Sequence, residues 1–202
     1  KEKLKSTLKI FKKNLNTQKN CHSLVDNFYK WSKGIDALIQ LTGDVSKPIA
    51  WEELKQKDFN RDIQINLGSA LFVSQKVFKL MKKNGGKIIL MSTGSAKHGG
   101  GSTTLAYGLG KAGIESLTKG IARFGEVYNI MSNALAPGFI ETRFHTEKLG
   151  KTPSQIKERI KLTKLKRSGK PEEIAFLIKT LISEKVNYIT GEIISISGGD
   201  WI

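Results

Sequence analysis

Short apolar runs of strand length alternate along the chain with longer stretches whose apolar residues recur at helical spacing, and nothing repeats at a solenoid period. Residues 7–12 read as a first short strand. Asn16 or Thr17 then caps a helix that places Cys21, Leu24, Val25 and Phe28 on one face and ends at Gly34. Residues 37–41 form a second strand, closed by Thr42-Gly43. Residues 51–57 and 63–83 read as helix. On the second of these Leu67, Ala70, Leu71, Val77, Phe78 and Met81 point inward, Ser74 interrupts the stripe, and Phe72, Val73 and Leu80 lie off it. Asn84-Gly85-Gly86 stops that helix, and residues 87–92 are the most apolar strand of the chain. A Gly/Ser/Thr-rich loop leads to a helix over about residues 104–124, and residues 130–135 form a strand ended by Pro137-Gly138. The charged segment 142–166 has helical spacing around 153–160. Pro171-Glu172-Glu173 opens a helix with proline first and acids in the first turn, and residues 192–197 form a closing strand stopped by Gly198-Gly199. Strand and helix in alternation predict an α/β fold, a parallel sheet covered on both faces. No linker-like stretch divides residues 1–202, so the expectation is a single domain.

Composition changes that picture little. The chain has 202 residues, of which 39% are hydrophobic and 8% aromatic, enough for an ordinary core and too apolar for a disordered tail. Its 34 Lys and Arg against 18 Asp and Glu give a net charge of +16. Such a surplus suits a phosphate-rich partner, yet Lys and Asn recur on faces that read as merely solvated, and residues 148–170 carry no aromatics for base stacking. Nucleic acid is therefore not the expected partner. Cys21 is the lone cysteine, which excludes an internal disulfide framework. His22, His98 and His145 have no ligand spacing, so no metal site is expected. No apolar run approaches the roughly 20 residues of a membrane span, and residues 1–13 lack the apolar core of a secretory signal. A cytoplasmic protein with no membrane partner is the expectation.

The chemistry concentrates around Tyr107-Gly108-Leu109-Gly110-Lys111, on the helix after the most apolar strand. Positions i and i+4 share a helix face, so the Lys111 ammonium can sit beside the Tyr107 phenol. A free tyrosine titrates near ~10, and a neighbouring cation favours its phenolate, which allows proton exchange with an alcohol or carbonyl near neutral pH. Ser92-Thr93 ends the preceding strand at the carboxyl edge, where open α/β sheets bind ligands. Asn133-Ala134-Leu135-Ala136-Pro137-Gly138-Phe139-Ile140-Glu141-Thr142 ends the next strand. Asn66 is a polar residue at the start of a buried helical stripe. Gly99-Gly100-Gly101-Ser102 lacks the Gly-Lys-Ser/Thr ending of a phosphate loop and reads as a flexible loop on the substrate side.

Together with Arg167-Ser168-Gly169-Lys170-Pro171-Glu172-Glu173-Ile174, Ile189-Thr190-Gly191 and Gly198-Gly199, these motifs make the sequence resemble the short-chain dehydrogenase/reductase family, in particular its 3-oxoacyl-carrier-protein reductase-like members, over nearly the whole chain. The resemblance implies a Rossmann-like, doubly wound parallel sheet in three layers. It implies an NAD(P)-dependent oxidoreductase interconverting a carbonyl and an alcohol, with NAD or NADP as cofactor. Tyr107 is then the acid/base, Lys111 lowers its pKa and bonds the nicotinamide ribose, and Asn66 holds a water in the proton relay. Thr93 takes the place of the family's serine on the substrate oxygen, with Ser92 and Ser95 as alternatives because the interval to Tyr107 is one residue long. Pro137, Gly138, Ile140 and Thr142 match the loop that holds the carboxamide end of the nicotinamide. Residues 148–170 fall where the family has a mobile lid.

Two departures from the family pattern bear on the cofactor. Gln40-Leu41-Thr42-Gly43 stands where the family has Asn-Asn-Ala-Gly, so cofactor contacts from Gln40, Leu41 and Gly43 rest mainly on backbone. The opening strand and its glycine-rich turn have no counterpart, while Asn14-Leu15 fits the end of the family's third strand, which contacts adenine. The expectation is an N-terminally incomplete dinucleotide-binding domain that lacks the first strands, with an unpaired sheet edge at residue 37. The substrate is a small-molecule or acyl-thioester carbonyl or alcohol. The assembly is a homodimer or homotetramer, because the 63–83 and 104–124 helices are apolar on more than one face and Trp201-Ile202 is too apolar for water. The rival reading is a non-catalytic scaffold of the same fold, binding through its basic surface.

Overall fold

The computed structural model describes residues 7–200, so Trp201 and Ile202 lie outside the described residues. Four parallel strands, β1 (Ala37–Gln40), β2 (Gly86–Met91), β3 (Ile130–Pro137) and β4 (Ile193–Ile196), pair in sequence order, with β1 and β4 at the edges of the sheet. Strand periodicity sends alternate side chains of β2 to opposite faces. Ile88 and Leu90 pack with helices α1 (Gln18–Ser32), α3 (Ser69–Met81) and α4 (Leu105–Gly125). Ile89 and Met91 pack on the other side with Ile174, Leu177 and Leu181 of α6 (Pro171–Leu181). The result is the three-layer, doubly wound arrangement. Ile88, Ile89 and Leu90 are essentially inaccessible to water, and each such side chain contributes about 1.5–3 kcal/mol of burial free energy.

The caps follow the local chemistry. The Thr17 hydroxyl accepts the Asn20 amide at the start of α1, and α5 (Pro153–Leu162) opens with a reciprocal Thr152/Gln155 capping box. Lys33, not Gly34, takes the left-handed conformation that closes α1. The buried Asn133 amide donates to the Ile189 carbonyl and accepts the Glu192 amide, which fixes the approach to β4.

Two expectations are corrected. Residues 7–12 are not a strand: Leu8 and Ile10 face water, while the Phe11 ring packs edge-on against Phe28 and Trp31 of α1. Residues 51–83 are not two plain helices either. A short 3-10 turn (Trp51–Glu53) precedes α2 (Gln56–Ile63), which runs into α3 through a π-helical turn at Gln64–Gly68. The widened turn rotates everything after it. Along α3, Val73 shares the core face with Ala70, Val77 and Met81 at ordinary three- and four-residue spacing, and Leu71 turns outward.

Gly108 allows the loop before α4 to lie directly on the helix. A Cβ there would stand 2.5 Å from the carbonyl carbon and oxygen of Gly99 and 2.6 Å from the Gly100 nitrogen, all backbone atoms with no side chain to swing away. Gly108→Ala is expected to cost about 1–3 kcal/mol and to lower the melting temperature by roughly 2–10 °C. Thermal denaturation followed by circular dichroism checks this.

Candidate active site

At the carboxyl edge of β1, β2 and β3 a cavity of about 760 Å³ opens, within the usual size of a small-molecule site. Leu41, Gly43, Thr93, Tyr107, Lys111, Pro137, Gly138, Ile140 and Thr142 all line it. Ser92, Ser95, His98 and His145 reach it too, as do Gly100, Gly101 and Ser102 of the glycine-rich loop and Phe144 to Arg159 of the charged segment in part. Asn14, Leu15, Gln40 and Asn66 are not on its wall. The Leu15 carbonyl accepts from Gln64 and its side chain packs on the core, Asn14 is solvent-exposed, and the Gln40 amide donates inward to Thr42 and Ser69.

Tyr107 and Lys111 lie one turn apart on α4 and share a face, with the Lys111 Nζ 5.8 Å from the centre of the Tyr107 ring. Instead of meeting the phenol, the ammonium donates to the carbonyls of Met91 (2.8 Å) and Thr42 (3.2 Å), at the ends of β2 and β1. Burial lowers the Lys111 pKa to about 8. Burial likewise raises the Tyr107 phenol to about 12, with the Thr93 hydrogen bond pulling the other way. In this geometry burial dominates the phenol and Thr93 is what lowers it, while the Lys111 donors are turned to backbone carbonyls. At neutral pH the phenol holds its proton.

The three hydroxyl candidates separate cleanly. Ser92 Oγ is turned into the fold, onto the Lys111 carbonyl and the Glu115 carboxylate, both at 3.0 Å. Ser95 bonds Thr93, and Thr93 is the one that hydrogen-bonds the Tyr107 phenol.

Asn66 sits in the π-helical turn, fully buried. Its amide donates to the carbonyls of Asp44 (2.7 Å) and Asp62 (2.9 Å), and its oxygen accepts the Asp44 amide (3.1 Å). One amide hydrogen and the oxygen thus hold the loop after β1 at Asp44, while the other hydrogen goes back to α2 at Asp62. Gly43 in that loop forms a close cradle, since a Cβ there would come within 3.1 Å of the Lys111 Nζ and 3.4 Å of the Asn66 oxygen.

Further residues complete the wall, among them His145 and part of the 148–170 segment. Phe144 lays its ring 5.8 Å from that of Tyr107, and His145 stacks on Phe139 at 4.2 Å. Burial first, then the charges of Arg159 and Lys151, lowers the His145 pKa. Arg159 forks onto Asp200, and Lys148 reaches Asp44. Burial pushes the Asp44 carboxyl up, but hydrogen bonds from Lys148 and Arg61 overcome it and hold the carboxyl below its ordinary value. Among the described residues no group of three His, Cys, Asp or Glu side chains could hold a metal ion, and no helix is long and apolar enough to cross a membrane.

Comparison with known proteins follows the same lines. A family model described as enoyl-(acyl carrier protein) reductase matches residues 1–200. The 3-oxoacyl-(acyl-carrier-protein) reductase FabG of Aquifex aeolicus (strain VF5) is 30% identical over 187 residues, 92% of this chain and 73% of the relative. The enzyme of the same name from Thermotoga maritima is 36% identical over 167 residues, 82% of this chain and 65% of the relative. The chain thus spans about two thirds to three quarters of their lengths. Among solved structures, a short-chain dehydrogenase/reductase from Serratia marcescens BCRC 10948 superposes with a TM-score of 0.85 at 26% identity, covering 95% of this chain and 76% of that one.

The buried lysine makes a measurable contribution to stability. Its folded pKa of about 8 lies below the value near 10.4 of an unfolded chain, so between those limits the unfolded state binds more protons and stability rises with pH. Relative to Lys111→Met, the wild type should gain on the order of 2 kcal/mol between pH 8 and pH 10. Tyr107, raised on folding, opposes this only above pH 10. Urea denaturation of both proteins across that range measures the difference, and parallel curves would show that the ammonium is not desolvated.

Proposed function

The chain belongs to the short-chain dehydrogenase/reductase family, whose enzymes interconvert carbonyls and alcohols with NAD(P), and on that premise we propose that it reduces a carbonyl at the Tyr107 wall of the cavity. The observation that carries this reading is the Tyr107 phenol bonded to Thr93 and standing beside the Lys111 ammonium, at the carboxyl edge of the sheet. The Gly43 cradle, with Pro137, Gly138, Ile140 and Thr142 along the ends of the strands, fits the nicotinamide end of the cofactor. When bound, reduced NAD or NADP supplies the hydride that reaches the carbonyl carbon.

The chain's residues do the rest. The Thr93 hydroxyl steadies the substrate oxygen and orients the phenol, and Tyr107, protonated at neutral pH, gives that oxygen its proton. In the oxidative direction the proton returns to the same atom. Lys111 fixes α4 against the ends of β1 and β2 and places a positive charge beside the ring and the ribose position. Asn66 acts through the backbone of the 42–46 loop that it holds. Apolar wall residues such as Val45, Pro48, Phe144 and Leu149 suit the carbon chain of a small-molecule or acyl-thioester substrate in a cytoplasmic enzyme. The alternative, a non-catalytic scaffold binding through its basic surface, is not favoured, because it gives no account of a buried lysine and a tyrosine facing the same cavity.

Tyr107→Phe keeps the ring and removes the proton donor. In the intact protein it should lower kcat by about 10²–10⁴-fold with cofactor affinity little changed. Steady-state assays and dinucleotide titration check both, and near-normal turnover would refute the assignment.

Assembly as a homodimer or homotetramer is part of the same proposal. Leu71 on α3, with Leu109 and Phe124 on α4, gives the two helices exposed apolar residues beyond their core faces, and Phe176 does the same on α6. Sedimentation velocity at micromolar concentration should show no stable monomer.

A further inference from the structure

The loop after β1 carries a charge network that the reaction chemistry does not use. Asp44 has its backbone fixed from both sides by Asn66, so its carboxylate is aimed by the fold. One oxygen meets Arg61 Nη2 at 2.8 Å and the other meets Lys148 Nζ at 3.0 Å. Arg61 also bonds Asp62 at 3.1 Å, and Asp62 accepts the Ser46 amide at 2.9 Å. Charges therefore alternate along Lys148, Asp44, Arg61 and Asp62, and the loop is tied to the helix behind it. An isolated exposed ion pair is weakly held. This one differs because the Asp44 side chain is only 20% exposed and its position is set before the lysine arrives.

Lys148 is the final residue of the π-helical turn Phe144–Lys148, and Phe144, its first residue, lies against the Tyr107 ring. One short turn thus grips the cavity at both ends, by a ring on the tyrosine wall and by an ammonium on the opposite loop. Leu149, just beyond it, lines the cavity between them.

We propose that Asp44 is a positioning residue that latches the Phe144–Lys148 turn across the cavity, so that the Asp44–Lys148 pair, acting through Phe144, sets the fit of the carbonyl substrate against Tyr107. The proposal rests on the reading of Tyr107 given above. Losing the latch loosens substrate binding and leaves the proton donor in place, so the effect falls on KM more than on kcat.

At saturating dinucleotide, Lys148→Met and Asp44→Asn should each raise KM for the carbonyl substrate by about threefold to tenfold, with kcat changed much less. The double variant should be no worse than the poorer single one, and Lys148→Arg should restore the wild-type KM. Raising ionic strength should raise the wild-type KM and leave that of Lys148→Met flat, because salt screens only a pair that exists. Hydrogen exchange gives a readout independent of turnover: amides of residues 142–152 should exchange faster in Lys148→Met at an unchanged melting temperature. Unchanged KM and unchanged exchange, with Tyr107→Phe inactive, would overturn the latch alone. Full turnover in Tyr107→Phe would overturn the site reading and the latch with it.

Discussion

Lys111 places an ammonium where three elements meet: its Nζ joins the carbonyl of Thr42, just past β1, to that of Met91, the final residue of β2, while α4 carries it one turn after Tyr107. A charge is costly to bury unless its donors are satisfied, and here the satisfying groups are backbone atoms that no side-chain motion can withdraw. The requirement runs both ways. The carbonyls orient the lysine, and the lysine holds the helix at the height where Tyr107 faces the cavity. Ser92 reinforces the same joint, its single hydroxyl proton lying between the Lys111 carbonyl and the Glu115 carboxylate, each 3.0 Å from Oγ. The position of the Tyr107 phenol is thus a consequence of how a charge is kept inside.

A second constraint is spatial. Backbones must approach closely around that ammonium, and side chains are absent where they would intrude. A Cβ at Gly43 would crowd Lys111 and Asn66, and one at Gly110 would stand 2.9 Å from the Asn66 Cβ. The π-helical turn brings Asn66 to this spot and re-phases α3 at the same time. Core packing of the helix and anchoring of the loop after β1 are therefore set by the same five residues.

The parallel sheet, the spans of α1, α4 and α6 and the shared face of Tyr107 and Lys111 were legible because they depend on short-range periodicity, which a single chain displays. Thr93 was one of three candidates. What separates it from Ser92 and Ser95 is the partner each hydroxyl finds, and that depends on how α4 meets β2 rather than on spacing. The Val73 and Leu71 exchange was hidden for a related reason: the two residues flank Ala70 on opposite sides of one apolar stripe, and which flank is buried depends on what packs against α3. Residues 7–12 alternate like a strand, but Phe11 finds aromatic partners on α1 in place of a ladder. Asn14, Leu15 and Gln40 carried over from the family pattern by position, while their polar groups and side chains turn to Gln64, the core, the solvent and Ser69. The pairing of Asp44 with Lys148 joins residues more than a hundred positions apart, and such a contact follows only from the completed fold.

The distribution of the few carboxylates ties the charge surplus to the site. The chain has 18 acidic residues against 34 basic ones, so the cations outnumber their possible acidic counterparts by 16. Yet Asp44, Asp62 and Asp200 are committed to Lys148, Arg61 and Arg159, all at the cavity or the loop beside it. Cations near a buried phenol and a buried ammonium act on both, favouring phenolate at Tyr107 and opposing protonation at Lys111. The field of Arg159 and Lys151 already lowers the pKa of His145 on the same wall. Pairing Lys148, Arg61 and Arg159 with carboxylates limits that field where it would reach the Tyr107 phenol. It leaves the surplus positive charge to surfaces where water and salt screen it. With that field limited, burial raises the Tyr107 phenol to about 12 and keeps it protonated at neutral pH.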